Sequence, residues 1–287
     1  MLYQEIPIQV PGCDEAALLI SYIPSNSLEI EQDRRRPAVI ICPGGGYHFL
    51  SDREAEPIAI RLNALGLNAF ILRYSVAPAR YPIPQKQLAM AVHTVRSRSE
   101  HFLTDPDRIF VAGFSAGGHL AASLGILWQD TACFSGLGLN PEQIRPKGMI
   151  LSYPVITSGE HAHRNSFLCL LGEKHDLLRD ELSLEKRVDR DTVPAFIWHT
   201  CEDELVPVEN SLLLAAALRR HHVSMELHIY PSGRHGLSLS SDQVYGPDAA
   251  SSIRPECQVW IDMAARWVFS LSKEILFKPS TAGQKSK

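Results

Sequence analysis

The sequence predicts an α/β protein with a mostly parallel central sheet, helices on both faces and a small helical insertion. Two observations carry this reading. Strand-like and helix-like segments alternate along nearly all of the 287-residue chain. The strand-like runs are also almost continuously apolar, where a strand with one wet face would alternate apolar and polar residues. A strand apolar on both sides must be covered on both sides, and helices connecting parallel strands provide that cover.

Taken in order, residues 4–10 and 16–22 read as an antiparallel hairpin at the sheet edge. The cations at 34–36 precede the first central strand and read as a solvated loop. Residues 38–42 form a short apolar run that Pro43-Gly44-Gly45-Gly46 closes, hence a buried strand. A helix over 54–65 stops at Gly66, and 67–74 is the next strand. Residues 85–98 place Leu88, Val92 and Val95 on one helical face. A buried strand at 109–112 leads to a helix at 117–128. Strands follow at 149–153, 195–199 and 226–230, with helices at 209–220 and 257–271. One stretch breaks the rhythm. Residues 158–190 exceed a usual crossover, which leaves a lid over the site and an ordinary crossover helix as the two expectations. The reading is one domain over 1–277 with a fraying polar tail at 278–287.

Composition narrows the function classes. The chain is 45% hydrophobic and 21% charged with a formal net charge of −4, values of a globular protein. No strong basic balance suggests nucleic acid as a partner. The first residues lack a basic segment followed by an apolar one, and no apolar run is long enough to span a bilayer, so a cytoplasmic protein without membrane contact is expected. Cys13, Cys42, Cys133, Cys169, Cys201 and Cys257 are scattered without a C-x-x-C pair, so free thiols are expected. His161 and His163 have no completing ligand set, so no metal is expected and both read as surface residues.

The chemistry-bearing signal is Gly113-Phe114-Ser115-Ala116-Gly117, a G-x-S-x-G that follows a strand and opens a helix. A nucleophile on so tight a turn needs very small neighbours two before and two after, and both are glycine. The turn lifts the hydroxyl clear of the sheet and sets the next N–H groups at a helix N-terminus. A serine hydroxyl needs a base within reach, and the base needs an orienting acid. On this architecture the chain order is Ser, acid, His. Glu202, Asp203 and Glu204 compete for the acid after the 195–199 strand. His235, on a Gly-flanked loop after the 226–230 strand, is the base candidate, with His119, His199 and His228 as rivals in or beside regular elements. The amides of Gly45, Gly46 and Ala116 are expected to form an oxyanion hole. The glycine run lacks the lysine and spacing of a phosphate loop. Tyr47 and Phe114, beside these motifs, are expected to meet the substrate.

Together the motifs resemble the bacterial acetyl esterase and acetylxylan-esterase-like branch of the α/β-hydrolases. The resemblance runs from about 38 to 237 and rests on Pro43 to Tyr47, Asp105 to Ile109, Gly113 to His119, Ser152 to Ile156, His199 to Pro207 and Gly233 to Gly236. In that family Val-Pro follows three residues after the acid, which singles out Asp203 ahead of Val206-Pro207. The resemblance implies Ser115, Asp203 and His235 as the triad of an α/β-hydrolase fold, with no cofactor. Pro43 stands where related esterases often carry histidine, a variant of the carbohydrate-esterase-like members. It favours a small-molecule ester, an acetylated sugar, as the partner. Oligomeric state is left open, with a homodimer as one option. A formamidase or small-peptide hydrolase on the same triad is the alternative reaction, and a ligand-binding homologue without chemistry the alternative class.

Overall fold

The computed structural model describes residues 1–246 and 251–271. The expected tail at 278–287 lies outside the described residues. Eight strands are β1 Leu2–Ile8, β2 Ala17–Ile23, β3 Arg36–Cys42, β4 Asn68–Arg73, β5 Thr104–Phe114, β6 Met149–Ser152, β7 Ala195–Thr200 and β8 Met225–Tyr230. The helices are α1 Glu56–Ala64, α2 Ile83–Ser97, α3 Ala116–Leu127, α4 Pro141–Ile144, α5 Arg164–Leu171, α6 His175–Leu178, α7 Glu209–Arg220 and α8 Trp260–Leu271.

The strands form one sheet in the order β1-β2-β4-β3-β5-β6-β7-β8. The expected N-terminal hairpin is present: β1 runs antiparallel to β2, and β2 antiparallel to β4. From β4 to β8 every pairing is parallel. Burial follows position in the sheet. β3 is buried at all seven residues, whereas the edge strand β1 alternates half-buried and exposed along Leu2 to Pro7.

Period-two alternation divides the core. Ala38, Ile40 and Cys42 point to the face covered by α2, α3 and α7, where Leu88, Val92, Leu120 and Leu214 pack. Val39, Ile41, Phe110 and Phe114 point to the opposite face, under α1 and α8, with Ile58, Trp260 and Val268. Helix α3 is buried at all twelve residues. That is tolerable because it is mostly Ala, Gly, Leu and Ile, and because its Ser123 hydroxyl donates back to the His119 carbonyl.

Residues 158–190 contain α5, α6 and short 3-10 turns. Phe167, Leu170, Leu171, Leu182, Leu184 and Val188 from this stretch are buried in the larger core. Among the described residues no helix is long and apolar enough to cross a membrane.

Candidate active site

The end of β5 and the start of α3 hold Ser115 in a backbone conformation that side chains rarely adopt, φ 54° and ψ −120°. Such conformations cost on the order of 1–3 kcal/mol and persist only where surroundings fix them. Here the Ser115 amide donates to the Ser152 carbonyl at 3.1 Å, and the Ser115 carbonyl accepts from Val155 at 3.0 Å and His119 at 3.2 Å. The flanking glycines are sterically required. A Cβ on Gly113 would lie 2.1 Å from the Gly117 carbonyl oxygen, and one on Gly117 would lie 2.1 Å from the Cys42 carbonyl oxygen.

The loops after β7 and β8 bring Asp203 and His235 to this turn. The Ser115 hydroxyl lies 2.8 Å from His235 Nε2, and His235 Nδ1 lies 2.6 Å from Asp203 Oδ2. Asp203 cannot donate when ionised, so Nδ1 carries the proton and Nε2 is free to accept from Ser115. The three side chains that the sequence singles out thus form one hydrogen-bonded chain across residues 115, 203 and 235. Asp203 is fully buried at its side chain and His235 is 13% exposed there. Burial alone would raise the Asp203 pKa. Hydrogen bonds from His199, His235 and the Val206 amide, with the charge of His235, outweigh it and hold the carboxyl well below its ordinary range.

The His235 loop is anchored on both sides. Thr200 Oγ1 donates to the Gly233 carbonyl at 2.7 Å, and the Gly233 amide donates to Glu202 at 2.9 Å. Tyr245 donates to the Gly236 carbonyl at 3.0 Å, its ring flanked by the Arg53 and Arg234 guanidiniums at 5.4 Å each. Glu202, one of the competing carboxylates, therefore supports the His235 loop; Glu204 is exposed.

The glycine run after β3 approaches the same turn. The Gly44 amide donates to Glu54 at 2.8 Å, and the Gly45 carbonyl accepts from His48 at 3.0 Å. Gly45 and Gly46 have φ of 126° and 66°, so L side chains would be strained at both. Their amides and that of Ala116 make no hydrogen bond to an acceptor among the described residues. These are the donors expected for an oxyanion.

The two side chains expected to meet substrate are placed elsewhere. Phe114 is 1% exposed and packs edge-on against Trp260 at 5.8 Å, because it shares a strand face with Phe110 and Ala112. Tyr47 is 1% exposed and meets His119 Nδ1 at 3.0 Å. Neither presents surface to a ligand, so neither makes the expected substrate contact. Of the rival histidines, His119 is that buried partner, His228 pairs with Glu226 at 2.8 Å, and His199 sits behind Asp203 with Nε2 3.2 Å from Oδ2 and 2.9 Å from the Val206 carbonyl.

Three neighbours of this site were given no place in it by the sequence. Glu54, read as the start of a helix, is buried and accepts from both Gly44 and the Tyr153 hydroxyl, the latter at 2.7 Å. Tyr153 also accepts from the Ser238 amide at 2.9 Å and sets its ring edge-on to His235 at 5.0 Å. His163, read as a surface residue, is half-buried beside the site. Its Cε1 lies 3.9 Å from where a Gly46 Cβ would be, as does Asn165 Nδ2, with Ser166 Oγ at 3.8 Å. Burial, then the nearby His235, lowers its pKa. No sequence signal marks Glu54, which stands between two other carboxylates, Asp52 and Glu56. Among the described residues no group of three or more His, Cys, Asp or Glu is placed to hold a metal ion.

Residues 27–218 match the model of the BD-FAE family. The chain belongs to that family. It is also similar to a solved acetyl ester-xyloside bifunctional hydrolase from Caldicellulosiruptor lactoaceticus, with 37% identity over 94% of this chain and 96% of that one and a TM-score of 0.79. MGS-M1, an α/β hydrolase enzyme from a deep-sea metagenome library, is similar at 34% identity over 94% and 98% of the two chains, with a TM-score of 0.75. With eight strands among the described residues, this BD-FAE chain thus has the α/β-hydrolase fold. An acetylxylan esterase from Xylanibacter ruminicola is 29% identical over 79% of this chain and 45% of that protein. This BD-FAE chain spans 34% to 56% of the length of the curated relatives it matches.

Proposed function

We propose that this BD-FAE chain is a serine carboxylic ester hydrolase that removes short acyl groups, acetyl above all, from carbohydrate esters such as acetylated xylo-oligosaccharides. The observation that carries the reading is the Ser115–His235–Asp203 hydrogen-bonded chain, at 2.8 and 2.6 Å, beside three unpaired backbone amides. In this mechanism His235 Nε2 takes the Ser115 proton as Oγ bonds to the ester carbonyl carbon. Asp203 holds the imidazole in the correct tautomer and stabilises its cation. The carbonyl oxygen, now an oxyanion, is met by the amides of Gly45, Gly46 and Ala116, each donor worth about 3 kcal/mol. The C–O bond to the alcohol breaks, and the alcohol leaves with the proton from His235. Water, deprotonated by His235, then attacks the acyl-enzyme, and Ser115 departs with the proton returned.

The names of the relatives support an acetylated sugar, as does the wall beside Gly46. His163, Asn165 and Ser166 offer polar groups there, and the 59% exposed Phe49 follows on the same loop. Sugars are bound by such mixtures of hydrogen-bonding groups and aromatic faces. The test is hydrolysis by wild type and Ser115→Ala of p-nitrophenyl acetate and of acetylated xylo-oligosaccharides. Expected is turnover of both by wild type, a higher kcat/KM on the sugar, and loss of both in the variant with the fold intact by circular dichroism. Retained turnover in Ser115→Ala would refute the mechanism. No preference for the acetylated sugar would refute the substrate class.

A further inference from the structure

The oxyanion loop is tied to the nucleophile helix and to the 158–190 insertion through one buried imidazole. His119 lies one turn past Ser115 on α3 and is 1% exposed. Its Nε2 is 2.9 Å from the Leu182 carbonyl oxygen, within the insertion, and its Nδ1 is 3.0 Å from the Tyr47 hydroxyl, at the end of the glycine run. A carbonyl only accepts, so Nε2 carries the proton. Burial lowers His119 to about 4, which leaves the ring neutral above that pH with Nδ1 bare. Tyr47 therefore donates to Nδ1, and the ring's one donor and one acceptor are both used. The arrangement is packed as well as bonded: the His119 ring meets Tyr47 edge-on at 5.9 Å and Phe167 of α5 at 5.3 Å.

The position of Tyr47 gives the tie its meaning. It directly follows Gly46, has φ of 57°, and donates nothing to solvent. Its carbonyl accepts from Ala77 at 2.8 Å, and the neighbouring Tyr74 hydroxyl donates to the Pro43 carbonyl at 2.6 Å. Of the glycines between Pro43 and Tyr47, Gly44 gives its amide to Glu54, whereas the amides of Gly45 and Gly46 have to face one point in space to serve an oxyanion. A hydroxyl locked to the helix that bears Ser115 fixes the loop relative to the nucleophile.

We infer that Tyr47 and His119 are positioning residues, a buried Tyr47–His119–Leu182 relay that holds the Gly45 and Gly46 amides in register with Ser115 and makes the insertion a buttress of the oxyanion hole. The inference rests on the proposed serine esterase reading. Loss of an oxyanion donor is felt where negative charge develops, not where neutral substrate binds.

The test compares wild type, Tyr47→Phe, His119→Gln and the double variant on p-nitrophenyl acetate. It adds the inhibition constant of a trifluoromethyl ketone, whose hemiketal oxygen occupies the hole. Tyr47→Phe removes one oxygen and keeps the ring. His119→Gln keeps a donor for Leu182, and with its Nε2 in that place its carbonyl oxygen lies on the side of the lost ring away from the Nδ1 position, so Tyr47 loses its acceptor. Expected for each single variant is a kcat loss of about tenfold to a hundredfold with KM within about twofold, and a matching rise in the ketone constant. Both variants break the same bond, so the double variant should lose little more than either alone. Unchanged kcat and ketone affinity in Tyr47→Phe would overturn the inference, as would a kcat loss without a change for the ketone, or losses that multiply in the double variant. These outcomes are separate from failure of the esterase reading, which Ser115→Ala tests on its own.

Discussion

Replacing Glu54 by Gln should unfold this protein at a measurably lower temperature, although Glu54 touches none of the three residues proposed to do the chemistry. Its carboxylate accepts twice, from the Gly44 amide at 2.8 Å and from the Tyr153 hydroxyl at 2.7 Å. Tyr153 is already an acceptor for the Ser238 amide, so its proton has to go to Glu54. A glutamine has one acceptor oxygen and one NH2. If the oxygen serves Gly44, the NH2 faces a hydroxyl whose own proton then has no acceptor. If it serves Tyr153, the Gly44 amide is stranded against an NH2. Either way a buried donor goes unpaired, and two charge-assisted bonds become at most one neutral bond. The unpaired donor costs about 1–3 kcal/mol, and the weakened bond adds about 1 kcal/mol. A destabilisation of about 3 kcal/mol corresponds to a melting temperature lower by roughly 6 °C for a chain of this size. The assay is calorimetric melting at neutral pH of wild type, Glu54→Gln, Tyr153→Phe and the double variant. Shared partners predict a double-variant loss smaller than the sum of the single losses by at least about 1 kcal/mol. A Glu54→Gln midpoint within about 1 °C of wild type would refute the reasoning, as would strict additivity.

Three more predictions concern Asp203 and the thiols. Asp203→Asn should lower kcat by about 10⁴ with the fold retained, because an amide whose oxygen still serves Leu205 and Val206 turns its NH2 to His235 and favours the tautomer that cannot accept from Ser115; rate measurement against circular dichroism checks it. The folded Asp203 pKa is depressed, so its stabilisation is present above the unfolded value of about 4 and is lost as pH falls from there through the lower folded value. The stability gap between wild type and variant should therefore shrink on acidification below about pH 4 in urea titrations, and a gap independent of pH would contradict this. Among the thiols, Cys201 is exposed while Cys42 is fully buried with its pKa raised by burial; a thiol reagent on the native protein should modify Cys201 quickly and Cys42 only on unfolding, as peptide mapping would show.

The central strands were legible because they are buried on both faces, which writes each as an apolar run between turn residues. The 209–220 helix coincides with α7, whereas the helix expected over 257–271 begins as α8 only at Trp260, after a 3-10 turn at Pro255–Cys257. The tight turn at Ser115 was legible for a steric reason: a Cβ 2.1 Å from a carbonyl oxygen is impossible, so the glycines at 113 and 117 are visible as letters. Orientation was less visible. Phe114 and Tyr47 sit beside the key motifs, and proximity in sequence suggested substrate contact. Period-two alternation from Phe110 through Ala112 already aimed Phe114 at the α8 face. Tyr47 carried no such signal, since a positive φ at a non-glycine residue is set by contacts between segments remote in sequence. Glu54, Tyr153 and Ser238 share one network although the last two are 99 and 184 residues or so from the first, and a single sequence does not record such pairings.

Asp203 shows why its two longer neighbours could not take its place. One of its oxygens is filled by the amides of Leu205 and Val206, at 3.1 and 2.9 Å, and the other by His199 and His235, at 3.2 and 2.6 Å. A carboxylate has about four lone-pair positions, and here none is vacant. Such a group cannot turn, and a proton could join it only by evicting a neighbour. A glutamate would shift the head group by about one C–C bond, ~1.5 Å, and break the whole set at once. In the proposed reaction cycle Asp203 is then the stationary member. Whatever adjustment accompanies proton transfer falls to the imidazole of His235 and the hydroxyl of Ser115, which move against an anchor that is already full.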